Sequence, residues 1–338
     1  MKTKNVTRRT LLGAAAALPM ITLISRRGSA AEFSYKYATG QDPTHPVNTR
    51  AQEAIDKIRE ATGGQVDMKL FPANQLGSDT DLLAQVRAGG VEFFNLATSI
   101  LATLVPVAGI TNTGFAFPDY AHVWAAMDGA LGAHIAAQIV KSGLIAPSKM
   151  WDNGFRQITS STKPINTPDD LVGFKIRVPP APMLTSVFKT LGAGATPINF
   201  NELYSALQTK VVEGQENPLA ITASARLYEV QKYVSMTGHV WDGYVPLANR
   251  RAWGALPAKV QEIVSHELSE AGLRQRGDIA SLSVSLRQDL TTKGMTFVDP
   301  NRELFRAKLA QSTFYADWKA KFGAEAWGLL EASVGKLG

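Results

Sequence analysis

The chain has 338 residues, with 35 Lys+Arg, 29 Asp+Glu, five His and no Cys, for a formal net charge of +6. Six of the basic side chains (Lys2, Lys4, Arg8, Arg9, Arg26, Arg27) lie in residues 1–30, which hold no acid, so the remainder carries 29 basic against 29 acidic groups. The pI of about 9.4 therefore belongs to the N-terminus, and nucleic acid is not an expected partner, because proteins that bind it carry Lys and Arg on the folded domain. The lack of Cys excludes disulfides, thiolate metal sites and a Cys nucleophile. An apolar fraction of 45% is that of a globular chain, and about 310 residues beyond the N-terminus suggest two domains.

Residues 1–30 read as a signal peptide. A basic stretch ends in Thr7-Arg8-Arg9-Thr10-Leu11-Leu12, and the apolar run from Leu11 to Ile24 is short for a hydrocarbon core of ~30 Å. Gly28-Ser29-Ala30-Ala31 offers a small-residue cleavage point. Arg8-Arg9 ahead of Leu-Leu suggests the twin-arginine route; an ordinary secretory signal with two chance arginines is the alternative. No later segment is long and apolar enough for a membrane span. The mature chain, beginning near Ala31 or Glu32, is expected in the periplasm and not membrane-embedded.

Phe33–Thr39 is a strand pattern that runs into the turn Gly40-Gln41-Asp42-Pro43. Helical spacing over Val47–Ala61 stops at Gly63-Gly64. Val66–Phe71 alternates as a strand, Gly77-Ser78-Asp79 can cap a helix over Thr80–Arg87, and Val91–Leu96 is the next strand. This order predicts α/β structure with a largely parallel sheet. It recurs after Trp151: strand Phe174–Val178, helix Pro182–Leu191, strand Ala195–Ile198, helix Asn201–Thr209 and an extended stretch Val211–Gly214. One helical pattern runs from Pro257 to Thr292, roughly 50 Å at ~1.5 Å per residue. That is long for one domain, so it is expected to cross between the two. Arg302–Leu337 reads as helical, anchored by Trp318, Phe322 and Trp327.

Several chemistries have no motif here. There is no phosphate-binding Gly-rich loop, no G-x-S-x-G and no H-E-x-x-H. The histidines are scattered and read as packing or surface residues. Asp169-Asp170 after Thr167-Pro168 resemble a helix start, and Glu213 and Glu216 flank Gly214 in a turn-like setting. No cofactor and no metal is expected, and an exported two-domain α/β chain of this kind points to binding rather than catalysis.

Four stretches together resemble the solute-binding proteins of TRAP (tripartite ATP-independent periplasmic) transporters. They are Phe71-Pro72-Ala73-Asn74-Gln75-Leu76-Gly77, the two arginine segments Trp151–Gln157 and Asp170–Pro179, and one central segment made of Asn201–Gln208 and Val212–Pro218, followed by Tyr228–Tyr233. Their order and spacing cover essentially the whole mature chain. The resemblance implies two α/β domains hinged around a ligand cleft, periplasmic-binding-protein-like, with a long helix spanning both. The boundaries expected are 31–153 with about 242–282 for one domain and 154–241 with about 283–338 for the other. It also implies capture of an organic acid and its delivery to membrane permease subunits driven by an ion gradient, with no ATPase.

Arg177, at a strand end before Val178-Pro179-Pro180, is the leading ligand candidate. A guanidinium presents a planar fork that matches a carboxylate, and in the family this arginine makes the principal salt bridge; a structural pairing with an internal acid is the alternative. Arg156 matches a second arginine that often contacts ligand. Asn217 can fix a carboxylate or hydroxyl, and Pro218 holds it extended. Phe200 matches a family aromatic. Trp151 and Trp241 wall the cleft or fill the core. Thr98 lies where sialic-acid binders carry a ligand-contacting acid, and Pro180 where they carry an Asn. These two departures favour a small hydroxy, keto or aromatic monocarboxylate, or a C4 dicarboxylate, over a large sugar acid. Two other readings remain: a binding component of another importer or sensor, and a periplasmic enzyme on a hydroxy acid, for which His45 is the one candidate base.

Overall fold

The computed structural model describes residues 31–337; the expected signal peptide lies outside them. Twelve strands occur among these residues: β1 (Phe33–Thr39), β2 (Val66–Phe71), β3 (Phe93–Ala97), β4 (Leu144–Ile145), β5 (Trp151–Phe155), β6 (Gln157–Ser160), β7 (Lys175–Val178), β8 (Gly194–Pro197), β9 (Gly214–Asn217), β10 (Tyr233–Ser235), β11 (Trp241–Asn249) and β12 (Thr296–Val298). They make two six-stranded sheets. The first runs β2-β1-β3-β11-β4 with β5 also on β11; the second runs β12-β10-β6-β9-β7-β8.

Local sequence accounts for the first sheet's start. His45 caps the helix Pro46–Ala61, whose Val47, Ala51, Ala54, Ile55 and Ile58 are buried, a spacing that puts them on one face. Ser78 and Asp81 form a capping box for the helix Asp79–Ala88, satisfying two backbone amides that a helix start leaves free. These helices join β1, β2 and β3 in parallel, as the pattern predicts. In the second sheet β7 pairs in parallel with β8 and β9.

The sheets are mixed rather than largely parallel. β11 runs antiparallel to β3, β4 and β5, and β6 antiparallel to β9 and β10. The reason lies in the connections. The chain passes from the first sheet to the second between Phe155 and Gln157, and back between Ser235 and Trp241. A strand that arrives from another sheet needs no helical crossover, so it is free to run against its neighbour. The extended stretch at Val211–Gly214 is displaced to Gly214–Asn217, which makes Glu216 a buried strand residue and not part of a turn.

The helix Ala258–Thr292 is a third connection. Its Val260, Val264, Leu268 and Ala271 pack under the first sheet with Tyr37, Phe93 and Trp151. Its Ile279, Leu286 and Leu290 pack with Val234 of the second. The tail is two helices, Arg302–Ala310 and Phe314–Val334, the latter interrupted at Gly323. Trp318 and Trp327 are buried. This last helix packs on the helices Tyr120–Met127 and Ala130–Lys141 and also touches the helix Pro182–Thr190.

Trp151 lies fully buried against the long helix, donating from Nε1 to the Leu268 carbonyl at 3.1 Å. A Cβ on Gly272 would sit 2.5 Å from its ring, so only glycine fits there. Gly272→Leu is expected to lower stability by about 1–3 kcal/mol through overpacking. Gly277→Ala, with nothing within 4 Å of the added carbon, should instead raise it by about 0.5–1 kcal/mol. Denaturant unfolding of both variants checks the pair.

Candidate functional site

Arg177 stands on β7, which is flanked on both sides by strands, and is 1% exposed. Its Nε donates to the Ile198 carbonyl at 2.9 Å. Nη2 is buried without a partner, and among the described residues no carboxylate oxygen lies within 4.0 Å of its nitrogens. Burial pulls its pKa down to about 10, with Arg156 adding to the fall while Glu216 and Asp79 oppose it. A cation removed from water, with unused donors and no counter-ion in contact, favours an anion that brings its own oxygens.

Arg156 is equally buried but fully engaged. It lies where the chain passes from β5 to β6, and its backbone amide donates to Val240 at 2.9 Å. Its Nε and Nη2 donate to the two Glu216 carboxylate oxygens at 2.5 and 2.9 Å. Nη2 also reaches the Glu216 carbonyl at 2.7 Å and Asn217 Oδ1 at 3.0 Å, and Nη1 donates to Asp242 Oδ2 at 3.1 Å. Asp242 further accepts from the Thr98 and Ser99 hydroxyls, both at 2.8 Å, and from Asn153 Nδ2 at 3.1 Å. His239 Nε2 lies 3.0 Å from Glu216. Burial pushes the Glu216 carboxyl up, but Arg156 and His239 outweigh it and hold the group below its usual range. Burial also lowers the His239 pKa against the pull of Glu216.

Arg156, Arg177, Asn217 and Phe200 line one cavity between the sheets, together with Pro179 and Ile221. The space amounts to about 390 Å³ when its opening to solvent is counted. Asn217 is fixed from both ends, accepting from Arg156 and donating to Gln215 Oε1 at 2.5 Å.

Four candidates lie behind this wall instead of on it. Trp151 is covered by the long helix, as described. Trp241 packs edge-on against Phe117 and Trp124 and donates to Asp152 at 2.8 Å. The Thr98 hydroxyl is turned to Asp242 and Thr111. His45 caps its helix by accepting from the Val47 amide at 3.2 Å, with its ring edge-on to Tyr244. Burial lowers the His45 pKa to about 4, so it is a neutral ring behind the tyrosine.

Gly40, Gln41, Asp79, Asn95, Ser99, Asn153 and Tyr244 also line it, with Leu96, Ala97 and Ile100 as its further apolar part, and sequence reasoning missed them. Asn95 carried a signal, since it interrupts the otherwise apolar β3 (Phe93-Phe94-Asn95-Leu96-Ala97), and a polar side chain in a fully buried strand needs a partner. Asp79 was legible only as part of a helix start. Asn74 fits best turned so that it donates to the Gly40 carbonyl (3.0 Å) and accepts from the Asp79 amide (3.2 Å), which leaves the Asp79 carboxylate without a donor among the described side chains. Burial lifts its pKa, to about 6 with the Asn74 amide still donating to it at 3.3 Å, against the pull of that amide and of Arg177.

With this geometry in view, comparison with known proteins is specific. The family model for bacterial extracellular solute-binding proteins, family 7, matches residues 37–317, and the chain belongs to that family. It is 30% identical over 306 residues to the 2,3-diketo-L-gulonate-binding periplasmic protein of Escherichia coli K12, covering 90% of this chain and 91% of that one. Among solved structures it is similar to a TRAP periplasmic solute-binding protein from Polaromonas sp. JS666 bound to D-erythronate (30% identity, TM-score 0.85, 89% of this chain and 98% of that one). It is also similar to a sugar-acid-binding protein from Advenella mimigardefordensis in complex with galactonate (29% identity, TM-score 0.85, 89% and 97%). The fold is the two-domain α/β fold of these TRAP solute-binding proteins.

The buried Asp79 makes stability depend on pH. Below about pH 4 its carboxyl is protonated in both folded and unfolded chains. From there to about pH 6 the unfolded chain releases the proton first, so this group's contribution to stability falls as pH rises and stays lowered above that. Asp79→Asn should therefore stabilise the ligand-free protein at pH 7 by on the order of 2–3 kcal/mol, about 1.4 per pKa unit less a few tenths to 1 lost at the helix start. The gain should vanish near pH 4. Thermal unfolding of both proteins at pH 4 and pH 7 checks it.

Proposed function

We propose that this chain is the periplasmic solute-binding component of a TRAP transporter. It is exported by its N-terminal signal, captures a small organic acid between its two domains and delivers it to membrane permease subunits driven by an ion gradient. Residues 31–153 with about 242–282 form one domain and 154–241 with about 283–338 the other, the last helix lying against both. Ligand binding across the cleft favours the closed arrangement through contacts that the open one lacks.

One observation carries the reading: Arg177 is buried, faces the cavity and has no acid in contact with it. A ligand carboxylate takes its two free donors, Asn217 sits alongside and Phe200 packs against the ligand's carbon skeleton. The acids named for the relatives, 2,3-diketo-L-gulonate, D-erythronate and galactonate, support a hydroxy or keto monocarboxylate as ligand.

A thermal-shift screen of carboxylates should find one that raises stability, by ~2.7 kcal/mol at a hundred times its Kd. Truncating one member of a buried charge pair costs ~2–5 kcal/mol, so Arg177→Ala should weaken binding of that acid by roughly thirtyfold to several thousandfold. Arg177→Lys keeps the charge without the fork and should fall between. Calorimetry reads both, with circular dichroism as the check on folding. Undiminished binding by Arg177→Ala would remove the carboxylate clamp.

A further inference from the structure

The cavity presents far more unsatisfied polar atoms than a carboxylate alone can use. Gln41 Oε1, both amide atoms of Asn95, Asn153 Oδ1 and the Tyr244 hydroxyl are buried without a well-formed hydrogen bond, with Gln41 beside Tyr244 and Asn95 beside Tyr37. All four side chains line the same space as Arg177, and none is more than 7% exposed. Buried donors and acceptors left unpaired are costly. Their number and mixed character fit a ligand with several hydroxyls, each able to donate and to accept. An apolar or aromatic tail would leave them unpaired.

The charges facing the cavity give a second constraint. Arg156 is already bonded to Glu216 and Asp242. That leaves Arg177 as the one guanidinium free for a ligand among the lining residues, and its fork matches one carboxylate. The remaining lining residue with an ionisable carboxyl is Asp79. It is 5% exposed, lacks a donor once Asn74 is turned and packs so closely on Gly40 that a Cβ there would lie 2.5 Å from its Oδ1. A carboxylate accepts from hydroxyls and repels a second carboxylate.

Resting on the organic-acid reading above, we propose that Asp79 is the specificity-determining residue of this cavity: it accepts hydrogen bonds from ligand hydroxyls and excludes a second carboxylate, so that the site takes polyhydroxylated monocarboxylates and rejects the matching dicarboxylates. The ligand's single carboxylate lies on Arg177. Its hydroxyls meet Asp79, Gln41, Asn95, Asn153 and Tyr244. A second carboxylate in the same space would be desolvated with no cation left to pair with and would face Asp79, whereas the terminal hydroxyl that it replaces meets a partner.

The test uses pairs that differ only at one end: D-erythronate with meso-tartrate, D-galactonate with galactarate and D-gluconate with glucarate, each titrated calorimetrically into the mature protein at pH 7.5. At least one monocarboxylate should bind, with its dicarboxylate partner about 30–1,000-fold weaker. The unhydroxylated acid of equal length, butyrate or hexanoate, should be weaker by at least about a hundredfold, because the polar wall is left unpaired. Asp79→Asn should narrow the gap between the pair to about tenfold or less, chiefly by gaining the dicarboxylate. Wild-type protein that binds a dicarboxylate as tightly as its monocarboxylate partner overturns the proposal and leaves the organic-acid reading standing. So does an Asp79→Asn variant with an unchanged ratio. Binding of none of these acids, nor of any in a wider carboxylate screen, overturns the organic-acid reading and this proposal with it.

Discussion

A buried positive charge without a contacting negative one is the constraint around which the cleft is arranged. Removing an ion from water costs several kcal/mol unless a partner and hydrogen bonds replace the hydration. Arg177 has one backbone carbonyl and an unused Nη2. Asp79 and Glu216 attract it from a distance without bonding to it. The unfavourable desolvation is already present before any ligand arrives, so an incoming carboxylate meets donors that are fixed and dry. Affinity gained this way comes from preorganisation rather than from contact area.

The second arginine explains why the first stays unpaired. Arg156 sits at one passage between the sheets and binds Glu216 and Asp242. Asp242 lies just beyond the other passage and also holds Thr98, Ser99 and Asn153. One guanidinium thus ties together β5, β9, β11 and the segment after β3. Glu216 and Asp242 are taken up by that tie, and Asn217 is aimed by it. Two arginines that look alike in the chain therefore differ in role: one organises the cleft and the other faces its contents. Breaking a buried network of this kind removes several interactions at once.

The pattern of elements was legible because it is local. The cap signal Gly77-Ser78-Asp79, the helical spacing over Val47–Ala61 and the unbroken helical pattern to Thr292 act over a few residues each, and they foretold the parallel units and the helix that serves both sheets. What was not legible depended on distant partners. Whether β11 runs with or against β3 is decided by where the chain comes from. Glu216 looked like a turn residue beside Gly214, although it is the buried counter-ion of Arg156, 60 positions earlier. Trp151 and Trp241 were read as cleft wall or core, and the long helix and the Phe117–Trp124 cluster, not the cavity, receive their rings. Arg177, Arg156, Asn217 and Phe200 were found through family motifs and do converge. Thr98 drew attention as the position of a lost polar contact, while the polar wall is supplied by Gln41, Asp79, Asn95, Asn153 and Tyr244, which no local motif marked.

The central claim is that Arg177 is held unpaired for a ligand rather than for the fold. Replacing it with methionine, close in length and uncharged, separates the two. The decisive measurement is the unfolding temperature of Arg177→Met without ligand, taken with calorimetric binding of the acid that the wild-type protein captures. The account predicts that the ligand-free variant is at least as stable as the parent, since a desolvated charge has been removed, while binding falls by roughly a hundredfold or more. A variant that is several degrees less stable and still binds the acid with parental affinity would contradict it, and would make Arg177 a structural residue of the second sheet.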